Sequence, residues 1–130
     1  MADKLNFSLV SPERELFSGA VDQVDVPGTE GDFAILPNHA PFMASIRTGA
    51  IIVRDGSEEQ RFFVQGGFAD VTPAGLTILA ERCAPTTEIS KDDLVAEIEQ
   101  AKADLETLTN ERAMAKRQHL DGLEALFNMV

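Results

Sequence analysis

Cysteine is almost missing from this chain: Cys83 stands alone among 130 residues. No internal disulfide can staple the fold, and a reducing compartment is expected. A lone Cys at a strand end reads as a small core hydrophobe, despite the neighbouring Arg82. Basic residues are scarce as well, with 11 Lys and Arg against 22 Asp and Glu and a formal net charge of −11. That balance excludes nucleic-acid binding, which needs clustered cations to displace phosphate counterions. Long apolar runs are absent too. Ala50 to Val53 falls far short of the ~20 residues that cross a bilayer, so membrane association is expected only through partners. The opening MADKLNF lacks the basic and apolar regions of a secretory signal.

Catalytic chemistry is equally thin. The histidines, His39 and His119, lie in different halves of the chain with no Cys or His at a ligating offset, so no metal is expected. There is no G-x-S-x-G elbow and no motif that joins a Ser or Cys to a His/Asp set. Gly66-Gly67 lacks the Lys and Ser/Thr of a phosphate loop and opens no helix; it reads as a bend where sheets approach closely. Glu58 and Glu59 sit beside a turn and read as surface charge. The expectation is an interaction part with neither catalytic residues nor a cofactor.

What is present divides by period. A hydrophobic content of 44% is enough for a core, in one domain or a small domain with an appendage. Up to about Thr87, short apolar or alternating segments are broken by turn residues every eight to twelve positions, which is an all-β pattern. The expected strands are Leu5 to Val10, Ala20 to Val26, Phe33 to Leu36, Ala44 to Arg47, Ala50 to Arg54, Gln60 to Gln65, Phe68 to Thr72 and Leu76 to Glu81. Asp55-Gly56 signals a hairpin and Thr72-Pro73-Ala74-Gly75 a second turn, as in a sandwich or barrel.

From Ser90 the period becomes helical. Ser90 is placed as an N-cap, and Asp92 and Asp93 suit the positive end of the helix dipole. Leu94, Ile98, Ala101, Leu105 and Leu108 form one apolar stripe, and Leu120, Leu123, Leu126 and Phe127 form another. Between them only Thr109-Asn110-Glu111 is weak, so the residues allow one long helix or two folded back. A helix this polar on its outer face gains most of its stability from packing, which makes the tail a candidate switch. Arg112, Lys116 and Arg117 form the one basic cluster, and Arg112 and Lys116 share a helical face.

The segment Gly28 to Pro41, GTEGDFAILPNHAP, holds a short apolar strand between turn-forming arms and should present Glu30, Asp32 and His39 from a rigid base. This run resembles the bottom loop of the epsilon subunit of F-type rotary ATP synthases. Val10-Ser11-Pro12-Glu13, Phe17-Ser18-Gly19, Gly66-Gly67-Phe68 and Leu79-Ala80-Glu81 follow in the order that family shows. The resemblance covers essentially the whole chain. It implies an α+β protein with segregated parts: an N-terminal antiparallel β-sandwich over residues 1–87 and a C-terminal two-helix hairpin over 88–130.

The resemblance further implies a non-catalytic central-stalk subunit that couples proton-driven rotation to ATP synthesis and restrains ATP hydrolysis through its helices. Its partners would be the gamma subunit, the membrane ring of proton-carrying subunits and the alpha and beta subunits of the catalytic hexamer. It would sit on the cytoplasmic face of the bacterial inner membrane. Glu30, Asp32 and His39 would meet the ring or the gamma foot, and Arg112, Lys116 and Arg117 would face acidic loops of the hexamer. Many members carry an ATP-binding pattern at the first helix. Here Asp92 and Ala96 match it, but Lys91 replaces its apolar residue and Val95 its Arg, removing a forked phosphate donor. The residues also fit a nucleotide-sensing module, or a free-standing β-sandwich adaptor with a coiled-coil tail.

Overall fold

The computed structural model describes residues 3–130. Eight strands come first: β1 (Leu5–Val10), β2 (Glu15–Val21), β3 (Gln23–Val26), β4 (Phe33–Ile35), β5 (Phe42–Ser45), β6 (Gly49–Asp55), β7 (Glu58–Thr72) and β8 (Gly75–Pro85). A 3-10 turn at Thr86–Glu88 leads into α1 (Lys91–Leu105) and α2 (Asn110–Met129).

The β-sandwich is built around β7. Its first half pairs with β6 from Glu58 to Val64, its second half pairs with β5 from Phe68 to Val71, and β8 follows it along both. One layer is therefore β2-β1-β8-β7-β5 and the other β8-β7-β6-β3-β4, with β7 and β8 crossing between them. The crossing lies at Gly66 (φ 69°) and Gly67 (φ 133°), backbone states that side chains with a Cβ rarely adopt. A Cβ on Gly67 would also strike the carbonyl oxygen of Leu79. The expected bend is thus real, but it joins the two strands expected on either side into a single 15-residue strand. All pairings are antiparallel except β1 with β8.

Alternate residues of most strands point between the layers. Phe7, Leu9, Val24, Ile35, Ile51, Val64, Ala69 and Ile78 are all buried there. Two expectations change at the edges. The expected strand Ala20 to Val26 is split at Asp22, whose N–H donates to the Arg54 carbonyl (3.0 Å) and whose carboxylate accepts from Gly56 N–H (2.6 Å). Strand β2 had no apolar signature because most of its side chains face solvent, as an edge strand allows.

The tail is a hairpin. Ser90 caps α1 by accepting from the Asp93 N–H (3.4 Å), and Asn110 at φ 56° starts the return helix after Thr109. Leu94, Ala101, Leu120, Leu123 and Leu126 pack together over Phe63, with Ile98, Leu105 and Phe127 half-buried around them. Phe63 faces the helices while Phe62 and Val64 face the sandwich interior. The apolar run Phe62-Phe63-Val64 exists because this stretch of β7 is covered on both sides.

Candidate functional site

The presenting segment is pinned at its base. Gly28 bridges to Ile46, Thr29 N–H donates to the Ser45 carbonyl (3.0 Å), and Arg47 N–H donates to the Pro27 carbonyl (2.9 Å). Gly28 is buried, and a Cβ there would lie 2.9 Å from the Phe33 ring, so the turn closes only around a glycine. The second arm turns at Asn38 (φ 64°), whose side-chain amide donates to Asp3 (2.7 Å).

The three expected residues are exposed, but they do not form one site. Glu30 and Asp32 line a groove of about 510 Å³ with Phe33, Phe42, Met43 and Phe68. His39 lines a different one, of about 340 Å³, against Asn6 and the Pro73 turn. The Phe42 ring stands between them, edge-on to Phe33 (5.2 Å between centroids) and 6.4 Å from the His39 ring. His39 Nδ1–H donates to the Ala40 carbonyl (2.8 Å). Asp32 is ion-paired with Arg47, which also donates to the Thr48 carbonyl (2.9 Å).

Beside this groove runs an apolar surface on the outer face of β5, β7 and β8. Met43, Phe68 and Leu79 are 65%, 49% and 57% exposed, while their strand neighbours Ala69, Ile78 and Ala80 are buried. Phe68 and Leu79 are directly paired, and Phe68 also pairs with Ser45, next but one to Met43. The helices lie over Phe63 and Ala50 in the other half of the sheet and leave this patch bare. The sequence pattern places Phe68 and Leu79 in strands but leaves Met43 just outside the expected strand Ala44 to Arg47, and it carries no sign that one face of these strands stays open.

The basic cluster also divides. Lys116 pairs with Asp104 of α1 (3.5 Å), whereas Arg112 and Arg117 are exposed and form no ion pair among the described residues. Asp92 and Ala96 are exposed on the first turns of α1, and Lys91 Nζ lies 5.2 Å over the Phe127 ring. Cys83 packs partly into the core, where burial pushes its thiol pKa up. Arg82 turns away from it, over the Phe63 ring (5.1 Å) and onto Glu97 (2.7 Å).

Contacts between the tail and the presenting loop had no signal in the sequence. Gln118 Nε2–H donates to the Thr29 carbonyl (2.9 Å). His119 Nδ1 and the hydroxyl of buried Thr48 share a hydrogen bond of 2.6 Å. Gly122 lies so close to Thr48 that a Cβ would collide with its carbonyl oxygen.

A family model described as the ATP synthase delta/epsilon chain beta-sandwich domain matches residues 4–86. The chain is 57% identical over 111 residues to the ATP synthase epsilon chain of Maricaulis maris, a match that takes in 85% of this chain and 84% of that one. It is 51% identical over 131 residues to the epsilon chain of Hyphomonas neptunium, covering 96% and 97%. Among solved structures, its fold is similar to a chain in the Euglena gracilis mitochondrial ATP synthase, OSCP/F1/c-ring in rotational state 1. There the TM-score is 0.80 at 20% identity, covering 99% of this chain and 82% of that one. A chain of the Tetrahymena thermophila mitochondrial ATP synthase central stalk and c-ring gives a TM-score of 0.65 at 15% identity, covering 98% and 96%.

Proposed function

The chain belongs to the epsilon chains of ATP synthase, and from that premise we propose how it serves as a non-catalytic subunit of the central stalk. It couples proton-driven rotation to ATP synthesis. The observation that carries this beyond family membership is the bare row Met43, Phe68 and Leu79 beside the presenting loop. An apolar centre rimmed by Glu30 and Asp32 has the make-up of a protein interface, with anchors that exclude water and charges that set orientation. The gamma subunit of the stalk is the partner assigned to it. Both structural neighbours come from assemblies that include the c-ring, and the arm carrying His39 is taken to rest on such a ring of proton-carrying subunits.

Transmitting torque requires a body that does not yield. The sandwich interior is closely packed from both layers, and interiors of that kind have low compressibility. Residues 1–87 are taken as this rotor part and 88–130 as a regulatory part. In the regulatory part, Arg112, Lys116 and Arg117 are assigned to acidic loops of the alpha and beta subunits, where they hold the tail in a state that restrains hydrolysis. The whole subunit is peripheral, on the cytoplasmic face of the inner membrane, and reaches the membrane only through its partners.

The test is recovery of the chain from native membranes. Co-purification of a catalytic hexamer and a ring, lost on Phe68→Glu with Leu79→Glu, is the expected result. A chain that purifies alone, or that keeps its partners in this variant, removes the stalk assignment or the surface assigned to it.

A further inference from the structure

The hairpin is held on the sandwich by a narrow apolar contact. Phe63 and half-buried Ala50 are the sandwich residues in that cluster, while Leu94, Ala101, Leu120, Leu123 and Leu126 belong to the hairpin itself. The pairs Arg14–Glu88 and Arg82–Glu97 are about half exposed on the arginine side and contribute little. At the other side, Gln118, His119 and Gly122 of α2 meet Thr29 and Thr48 of the loops that lead into β4 and β6. Thr48 is the one buried polar residue among the described residues, and its hydroxyl is satisfied by His119.

We propose that this contact is a proton-sensitive latch: Gln118, His119 and Gly122 hold α2 against Thr29 and Thr48, and protonation of His119 releases the tail. It rests on the reading that the tail can leave the sandwich.

The surroundings of His119 disfavour a second proton. Burial is the largest cause of its lowered pKa, and Lys116, one turn earlier on α2, adds to it. Across the contact, Glu97 of α1 opposes that effect, but it is already paired with Arg82 of β8, whose charge also acts against protonation. On the loop side, the Arg47 guanidinium lies against the Thr48 carbonyl, with its charge met by Asp32. With the docked value depressed, docking is at full strength above the ordinary histidine value of about 6.5. It weakens as pH falls through the docked value, because the released histidine takes up the proton more readily. Tail release therefore follows acidification.

The test uses the full chain with Cys83→Ser and spin labels at Ala34→Cys and Met129→Cys, which line one groove between β4 and the end of α2. At about pH 7.5 one short distance is expected; as pH falls to about 5 it is lost, and it returns on neutralisation. The His119→Gln variant should keep the short distance throughout, and His39→Gln should behave as the parent. An unchanged parent distance, or a His119→Gln variant that responds as the parent does, overturns the latch. So does an ordinary midpoint for the His119 ring followed by NMR. A Gly122→Leu variant separates the two premises. If it stays docked at every pH, the tail does not leave the sandwich; if it undocks while the parent ignores pH, only the latch fails.

Discussion

Gly122 of α2 presses against the backbone of Thr48, at a distance that admits a hydrogen but no methyl group. In an open helix, glycine to alanine stabilises by about 1 kcal/mol because alanine loses less backbone freedom. Here the neighbour is a carbonyl, which cannot swing aside as a flexible side chain can. Gly122→Ala should therefore lose about 1–3 kcal/mol of tail docking through overpacking. Faster amide exchange in α1 and α2, with unchanged exchange in β7, is the expected record; slower exchange in the helices would contradict it.

The sandwich has its own fixed point at Gly67. Its φ of 133° and the nearness of the Leu79 carbonyl both exclude a side chain. Gly67→Ala should destabilise the sandwich by about 1–3 kcal/mol, from backbone strain alone and more if β8 must shift. The midpoint of urea unfolding should fall accordingly, while Gly31→Ala, which meets only a strained φ in open space, should cost less. Equal losses at the two positions would show that the collision with Leu79 is not felt.

Much of this architecture was legible because side-chain periods are local. The change from alternation to a 3.6-residue period near Ser90 located the tail, and the cap at Ser90 formed as expected. The two expected stripes pack as one cluster except for Leu108, which falls in the turn after α1 ends at Leu105. What stayed hidden depends on pairings between distant residues. Nothing local tells Phe68 from Phe63, yet one is bare and the other buried, because the helices cover half of β7 and leave the rest. Asp32 looked like a free loop acid until Arg47 came beside it, and His119 had no meaning without Thr48.

Replacing Phe68 and Leu79 by Glu should leave the isolated chain folded, since exposed positions away from special features usually change stability by less than about 0.5 kcal/mol. Glutamate is a poorer strand residue than either, so a small loss is expected on top. Thermal unfolding of the purified variant near the parental midpoint, together with failure to join the stalk, is the expected pair of results. A variant that unfolds early would show that these side chains serve the sandwich and no partner.

Alanine at Glu30, Asp32 and His39 together should weaken proton-driven synthesis in reconstituted vesicles and leave the fold intact. Among the described residues the ion pair lost is Asp32–Arg47, which is exposed on the aspartate side and is worth roughly 0–1 kcal/mol. Because His39 and the two acids line separate grooves, His39→Ala alone should give part of the defect and the acid pair the remainder. Normal synthesis by the triple variant would make the loop a spectator.

The tail's cations give the sharpest test of regulation. Arg112 and Arg117 are exposed and form no ion pair among the described residues, and Lys116 holds only a solvated contact of 3.5 Å with Asp104. Alanine at all three should therefore leave the docked hairpin nearly as stable as before. If these charges instead engage acidic loops of the hexamer when the tail is raised, their loss acts on the raised state alone. Each exposed pair is worth only about 0–1 kcal/mol, so they must act together with burial of Leu120, Leu123 and Phe127 against the partner. ATP hydrolysis by the assembled enzyme should rise in the triple variant, synthesis should change much less, and the difference should shrink at high salt as the charges are screened. If hydrolysis is the same in the parent, in the triple variant and in a chain ending at Thr87, the two helices do not restrain the enzyme, and their packing on Phe63 serves the structure of the subunit.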